Sequence, residues 1–474
     1  MGRCLREGTP VGVTSDVARF ATETRLQDVP EDVAHTAKRS VLDGLGLAVA
    51  GTRSGPGQII NRYVTAQGCR GEAGILGTEL RAPARFAALA NGVGMHADDY
   101  DDTQLAVAPD RVYGLLAHPT APVLPAALAT AERAGRSGAD LLIAYLIGIE
   151  VVTKVAEAIS PRHYDHGFHT TGTTGAIGGA AAAARLLGLD TDRVAVSLGI
   201  GASLAAGLRE NFGTMTKPLH AGRAAESGVI AADLAAAGFT AAPNILEAQR
   251  GFFSAAGGGF DPDAIEGRLG DPWTFADPGV SIKPHPSGSL THPGMGVMID
   301  LIRTNDVRPE DVIRVDVWTN RHMPNALIHH QPTNELQAKF SMEFCMAILL
   351  LDRKAGLAEF TDECVLRDDV QDMIARVKFV EHPQAEKTGY NLMTTIIKIE
   401  LKDGVVLEGQ ADFGKGSPQI PMTDDELIGK FTECLDWAGL GDSIAKEAAD
   451  LILHIEKEPS MARVIKLLSK DAVS

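Results

Sequence analysis

Positive charge is in short supply in this sequence. Its 474 residues carry 44 Lys plus Arg against 61 Asp plus Glu, a formal charge of −17, whereas binding nucleic acid by counterion release needs a basic face. Anionic lipid surfaces repel such an exterior as well. Cysteine is also sparse: Cys4, Cys69, Cys345, Cys364 and Cys434 are odd in number, scattered and without a C-x-x-C pair. That pattern gives neither a disulfide framework nor a thiolate zinc site, and it points to a reducing, cytoplasmic setting. Long apolar runs are missing too, since Leu141 to Ile149 and Ala176 to Ala184 reach about half of the roughly 20 residues that a membrane span requires. The N-terminal MGRCLREGTPV lacks the apolar core of a signal peptide, and Arg6 stands where a myristoylation motif has Ser or Thr. A soluble protein is expected. Aromatics make up only 5% of the chain while Gly reaches 50 residues, so much of the core must be small side chains, which suits closely packed helices and disfavours an apolar cofactor pocket.

From about Val13 to Glu247 apolar residues recur at three- and four-residue spacing, and Gly, Pro and Asp mark the breaks. The pattern predicts helices over Val33 to Ala50, Pro122 to Ala134, Asp140 to Ile159 and Ile177 to Leu187, with Asp190 capping the next. Gly and Pro then crowd between Gly251 and Pro286, the expected boundary. Beyond it Val312 to Trp318, Ala375 to Val380, Thr394 to Leu401 and Val405 to Asp412 read as strands, the last two joined at Lys402-Asp403-Gly404. Helices are expected at Met295 to Arg303 and Phe340 to Leu351, and Asp424 to Leu468 is again helical. The fold expected is mainly α: a large all-helical domain formed by residues 1–270 and 416–474, with a smaller α+β domain at 271–415 inserted before the C-terminal helices. The cleft between such units is a common place for a small-molecule site.

Four segments could carry chemistry. Asp98-Asp99-Tyr100-Asp101-Asp102-Thr103 follows His96 and precedes His118, and its crowded carboxylates need cations, protonation or solvation. As a pattern it matches the magnesium-binding D-D-x-x-D of isoprenoid synthases, and Asp368-Asp369-Val370-Gln371-Asp372 is a formal second copy. That copy falls among strand signals in another domain, so a solvated acidic turn is expected there. His163, His166 and His169 have a spacing that suits a metal, but Gly167 and the Gly/Thr run after His169 imply an irregular loop. The hydroxyls of Thr170, Thr171, Thr173 and Thr174 ahead of a helix start at Gly175 suit an anion at a helix N-terminus. Lys217-Pro218 with His220, and Lys283-Pro284 with His285 and His292, each place a lysine in an extended pre-proline backbone, where it can bind a ligand carboxylate or, if desolvated, move a proton. There is no G-x-S-x-G, H-E-x-x-H or Walker A, and the glycine pairs at Gly44 and Gly92 lack the strand of a dinucleotide fingerprint. Acid–base chemistry by His, Lys and Asp on a small anion remains.

In order and context, Asn91-Gly…His96…Asp99-Tyr-Asp-Asp-Thr103, His118-Pro119, Gly148-Ile-Glu150, Gly167-Phe-His169, Thr216-Lys-Pro-Leu-His220-Ala-Gly222 and Lys283-Pro284…Thr291-His292 resemble the MmgE/PrpD family. That family includes 2-methylcitrate dehydratase, cis-aconitate decarboxylase and iminodisuccinate epimerase. The resemblance implies a helical domain with an α+β lid, a homodimer, no organic cofactor, and a di- or tricarboxylate substrate in the interdomain cleft; no cofactor and no metal are therefore expected in the site. It implies His118, His169, Asp99 and Lys217 as catalytic residues, and Thr103, Thr170, Lys283, His220, His285 and His292 as substrate-binding ones. Two positions depart from the decarboxylase branch: Gly288 replaces a His and Phe344 replaces a Tyr, with His285 or Tyr113 as substitute donors. The segment from Thr103 to His118 is also longer than the resemblance leads one to expect. The reading is therefore a hydro-lyase resembling 2-methylcitrate dehydratase, ahead of an epimerase or a decarboxylase, with a magnesium-dependent isoprenoid synthase or a non-catalytic binding protein as remote alternatives.

Overall fold

A computed structural model describes residues 12–68, 70–105, 115–389 and 392–470. Cys4, Cys69, Tyr113, the N-terminal segment and the middle of the stretch between Thr103 and His118 lie outside them. The fold is mainly α with a small sheet. Its helices of eleven residues or more are α1 (Val13–Glu23), α2 (Glu31–Ala50), α3 (Gly55–Thr65), α4 (Ala84–His96), α5 (Thr120–Arg133), α6 (Gly138–Ile159), α7 (Thr170–Leu187), α8 (Thr191–Leu204), α9 (Thr216–Ala236), α10 (His292–Asn305), α11 (Met342–Asp352), α12 (Asp424–Ala438) and α13 (Asp442–Leu453).

Local chemistry sets these ends. Ser137 and Asp140 form a reciprocal capping box on α6, the Asp190 carboxylate accepts from the Arg193 amide at the start of α8, and Gly188 (φ 69°) ends α7 in the left-handed conformation. Two expectations need correction. The Thr/Gly run is not a loop, because α7 begins at Thr170 rather than near Gly175. Lys217 is not extended either, since it lies in the first turn of α9. Pro218 also sits in that turn, where its missing N–H has no intrahelical partner to lose, and continuing the helix overrides the pre-proline preference.

The alanine- and glycine-rich α7 is buried along almost its whole length and packs against α5, α6, α8 and α9. Contact is close enough to require glycine: a Cβ at Gly228 of α9 would lie 2.5 Å from the Gly179 backbone, and one at Gly222 the same distance from the Leu89 carbonyl oxygen. Helices α12 and α13 pack on α2, and Leu427, Phe431, Leu435, Ala445 and Ile452 join the core that α2, α5 and α6 form.

A second core lies under a four-stranded sheet. Strands β1 (Val312–Thr319), β2 (Val377–Glu381), β3 (Thr395–Leu401) and β4 (Val406–Ala411) are arranged in the order β2-β1-β3-β4. The β1–β2 pair is parallel, in register at Val315 and Val377, and the others are antiparallel. Val315, Val317, Ile397 and Ile399 meet Met295, Met298 and Ile302 of α10 and Phe344 and Ile348 of α11. The second acidic run forms a short helix, Asp368–Ile374, rather than strand or turn. Among the described residues no helix is long and apolar enough to cross a membrane.

Candidate active site

Four pieces of backbone converge beside the helical core. The acidic turn leaves the C-terminus of α4, His169 precedes the first turn of α7, Lys217 sits in the first turn of α9, and Lys283 lies on the loop before α10. The first and last are stitched together by two backbone hydrogen bonds between Thr103 and Ser281, both 2.8 Å. His169 and Lys217 thus stand at the N-terminal ends of α7 and α9, where helix dipoles favour negative charge.

Asp99 is at the centre. It adopts a left-handed backbone (φ 49°), a conformation Asp tolerates better than most residues, and this turns its carboxylate toward both lysines. Lys217 Nζ donates to Oδ1, while Lys283 Nζ donates to Oδ2 at 3.0 Å and to the Asp99 carbonyl at 2.7 Å. All three residues are at most 4% exposed. Burial by itself would raise the Asp99 carboxyl, yet Lys217 and Lys283 hold it well below the ordinary carboxylate range.

The imidazoles pack around this pair of ion pairs. His118 places Nε2 3.8 Å from Asp99 Oδ1 and Nδ1 3.4 Å from Asp101 Oδ2 and 3.0 Å from the Asp102 carbonyl. His96 Nδ1 lies 2.8 Å from Asp101 Oδ2, and its ring is 4.5 Å from that of His118 and 5.8 Å from that of His169. His169 shares a 3.0 Å contact between its Nδ1 and that of half-buried His220, and its buried Nε2 has no hydrogen-bond partner among the described residues. Burial and the charge of Lys217 hold His118 well below the ordinary imidazole value; burial, His96 and Lys217 do the same to His169. Both shifts favour the neutral imidazole. Asp101 and Asp102 are pushed up to about 7 by burial. Two buried lysines thus share the carboxylate of Asp99, and burial lowers the proton affinity of Lys283.

The remaining expected residues divide. His292 is buried, its Nε2 without a partner among the described residues, and His285, Lys283 and Asp99 all act on it electrically. His285 bonds the Ala355 carbonyl at 2.9 Å and stands behind His292, at 5.9 Å between rings. The Thr103 hydroxyl meets Ser289 at 3.3 Å. Of the threonine run only Thr170 keeps its hydroxyl uncommitted among the described contacts: Thr171 accepts from the His118 amide, Thr173 bonds His163 and Thr174 donates to the Thr170 carbonyl. The run is therefore mostly framework rather than an anion cradle. His163 also bonds the Ala256 carbonyl, so the 163/166/169 spacing does not bring three imidazoles together.

His96 and Asp101 are not among the expected site residues, although His96 precedes the acidic run that signals Asp99 and Asp101 lies within it. With Asp99 and His118 they form a buried group whose ligand atoms all lie within 4.8 Å of one another, dimensions that would suit a cation. Lys217 and Lys283, already on Asp99, oppose one electrostatically. Of the two departures, Phe344 is fully buried against Phe360 and belongs to the sheet core. Gly288 faces Leu327 and Phe340, and the Phe340 ring lies 5.6 Å from Lys217 Nζ.

The chain matches known sequences along most of its length. Residues 15–265 match the MmgE/PrpD N-terminal domain and residues 285–455 the MmgE/PrpD C-terminal domain. The chain is 28% identical over 441 residues to the cis-aconitate decarboxylase of Homo sapiens, covering 90% of this chain and 89% of that one. It is 28% identical to the Mus musculus cis-aconitate decarboxylase, over 88% and 86%, and 26% identical to that of Aspergillus terreus, over 97% and 96%. These relatives carry the name of the third of the expected activities.

Proposed function

The chain belongs to the MmgE/PrpD family, and from that premise we propose that it is a carboxy-lyase acting on a small tricarboxylate of the cis-aconitate type. The observation that carries the reading is the convergence of two buried lysines on Asp99 with His118 and His169 beside them. Substrate carboxylates compete with Asp99 for Lys217 and Lys283. Their negative charge also reverses the local field: imidazoles held neutral by burial and lysine charge gain proton affinity when the anion arrives. Cleavage of the carbon–carbon bond to one carboxylate releases carbon dioxide and leaves its electron pair on an allylic carbanion. That charge spreads into a neighbouring carboxylate held by a lysine, where fixed cations in a dry site are most effective. His169 then delivers a proton to carbon, and His118, between Asp99 and Asp101, is its partner in acid–base exchange.

Dehydration of a hydroxy-tricarboxylate is the second reading, favoured by Gly288 and Phe344, which offer no side-chain donor where the resemblance to the decarboxylase branch implies His and Tyr. One experiment separates the two. Incubation in D2O with cis-aconitate, 2-methylcitrate and iminodisuccinate, followed by proton NMR, should give loss of carbon dioxide from cis-aconitate with one deuterium incorporated at carbon. Water loss from 2-methylcitrate instead would select the dehydratase, and no consumption of any of the three would refute both. His169→Ala and Lys217→Ala should each lower kcat/KM by about 100-fold or more while remaining folded.

A further inference from the structure

Lys430 of α12 belongs to none of the segments that drew attention in the sequence, yet it ends directly behind the site. It is 5% exposed. Its Nζ donates to the Tyr100 carbonyl at 2.9 Å and to the Lys283 carbonyl at 2.8 Å, and it pairs with Asp43 Oδ1 of α2 at 2.6 Å. An ammonium has three N–H donors; two of them meet carbonyl acceptors here, and the charge is balanced by the ion pair with Asp43. The two carbonyls are that of the residue following Asp99 and that of Lys283 itself. Tyr100 doubles the tie: its ring lies 3.8 Å from Lys430 Nζ and its hydroxyl donates to the Pro284 carbonyl at 3.0 Å.

We propose that Lys430, anchored by Asp43, is a positioning residue that fixes the acidic turn and the Lys283 loop against each other and so sets the distance between Asp99 and Lys283. The inference rests on the reading of the site given above. A buried ammonium needs hydrogen-bond partners wherever it lies, so satisfaction alone does not explain the choice. What points to positioning is that its partners are one loop bearing Asp99, a second bearing Lys283, and a helix of the rigid core. Misplacing a reacting group by about 1 Å can cost on the order of 100-fold in rate, and these two loops would lose their common support if the ammonium were removed.

The test is Lys430→Met, which keeps the stem and removes charge and donors, beside Lys430→Arg, which keeps a cation. Steady-state kinetics on the substrate identified by NMR should give a kcat lower by about 100-fold for Lys430→Met with KM much less affected, and partial recovery of kcat in Lys430→Arg. Amide hydrogen exchange of the full chain should quicken at residues 98–104 and 281–287 and stay unchanged along Gly138–Ile159. Wild-type kcat per folded molecule, or exchange that rises equally everywhere, would overturn the proposal. Should Lys430→Met fail to fold, Lys430→Arg decides alone: positioning predicts a lowered kcat at an unchanged melting temperature, and a purely structural role predicts wild-type kcat per folded molecule. If Lys217→Ala loses turnover and Lys430→Met does not, the clamp fails and the active-site reading stands. If the wild type consumes no polycarboxylate, that reading fails and the exchange pattern still judges the clamp.

Discussion

Two acidic runs in this chain look alike as text and end in opposite surroundings. In residues 98–102 the carboxylates of Asp99, Asp101 and Asp102 are at most 4% exposed, and the cations that serve the run come from far away: Lys217, Lys283 and Lys339 reach Asp99, Asp99 and Asp98 from 118, 184 and 241 residues along the chain. In residues 368–372 the aspartates are exposed on a short helix, and Asp369 pairs with Arg367 only two positions away. The carboxylates themselves are the same. What differs is whether the fold delivers distant lysines and excludes water, and the electrostatics of the first run are the stronger for it, because charge interactions grow as solvent is removed.

The sharpest way to break that contrast is Asp99→Asn. It leaves Lys217 and Lys283 facing each other without the carboxylate that both grip, and removing one partner of a buried ion pair typically costs about 3–5 kcal/mol. Denaturant melts should register that loss, and turnover should fall at least as far as in Lys217→Ala. A variant as stable and as active as the wild type would reduce the first run to the status of the second.

Next in size is the pH response. The folded Asp102 carboxyl is raised to about 7 by burial, against the hydrogen bond from Thr120, so it contributes stability that is present below its unfolded value near 4 and is lost as pH rises through about 7. Asp99 runs the other way: its carboxyl is depressed, so its contribution holds above the unfolded value and disappears only in strong acid. Replacing Asp102 by Asn should therefore flatten the decline in stability between about pH 4 and 7 by a few kcal/mol, measured as melts across that range. Because the hydroxyl of Thr120 bonds Asp102 Oδ2 at 2.6 Å, the amide must retain that contact for the comparison to be clean, and Asp102→Glu serves as the control that keeps the titration. An unchanged slope in Asp102→Asn would place the titrating group elsewhere.

Much of this was legible in the sequence, and the part that was not has a common cause. Periodicity and caps located α2, α5, α6 and the four strands to within a few residues, since those signals are local. Asp99, His118, His169, Lys217 and Lys283 were pointed to by the family resemblance, and the structure brings them together. The start of α7 was misjudged because threonine and glycine have poor helix propensity, and tertiary packing against α5 and α9 overrode it. Lys430, Asp43 and Lys339 left no local trace: a single lysine in an amphipathic helix reads as solvated, and only the fold reveals that its neighbours are two loop carbonyls and an aspartate. Buried charge arranged by long-range packing is what a linear pattern conceals.

The smallest expected effect belongs to the second run, and it is the most economical check on the whole distinction. Asp369 is held below the ordinary carboxylate range by its hydrogen bonds from Arg367, so its pairing contributes above the unfolded value near 4 and fades as pH falls below it. Its side chain is 53% exposed, however, and exposed pairs are worth only about 0.2–1 kcal/mol after screening. Asp369→Asn should thus shift the denaturant midpoint barely beyond error and leave turnover unchanged, and 0.5 M salt should erase even that difference. A magnesium-dependent isoprenoid synthase would require the opposite, with both aspartate sets bound to metal: Asp369→Asn would then abolish activity, and EDTA would do the same to the wild type. Activity that survives both treatments leaves the buried run alone with the chemistry, as expected of a carboxylate whose cations are lysines supplied by its own fold.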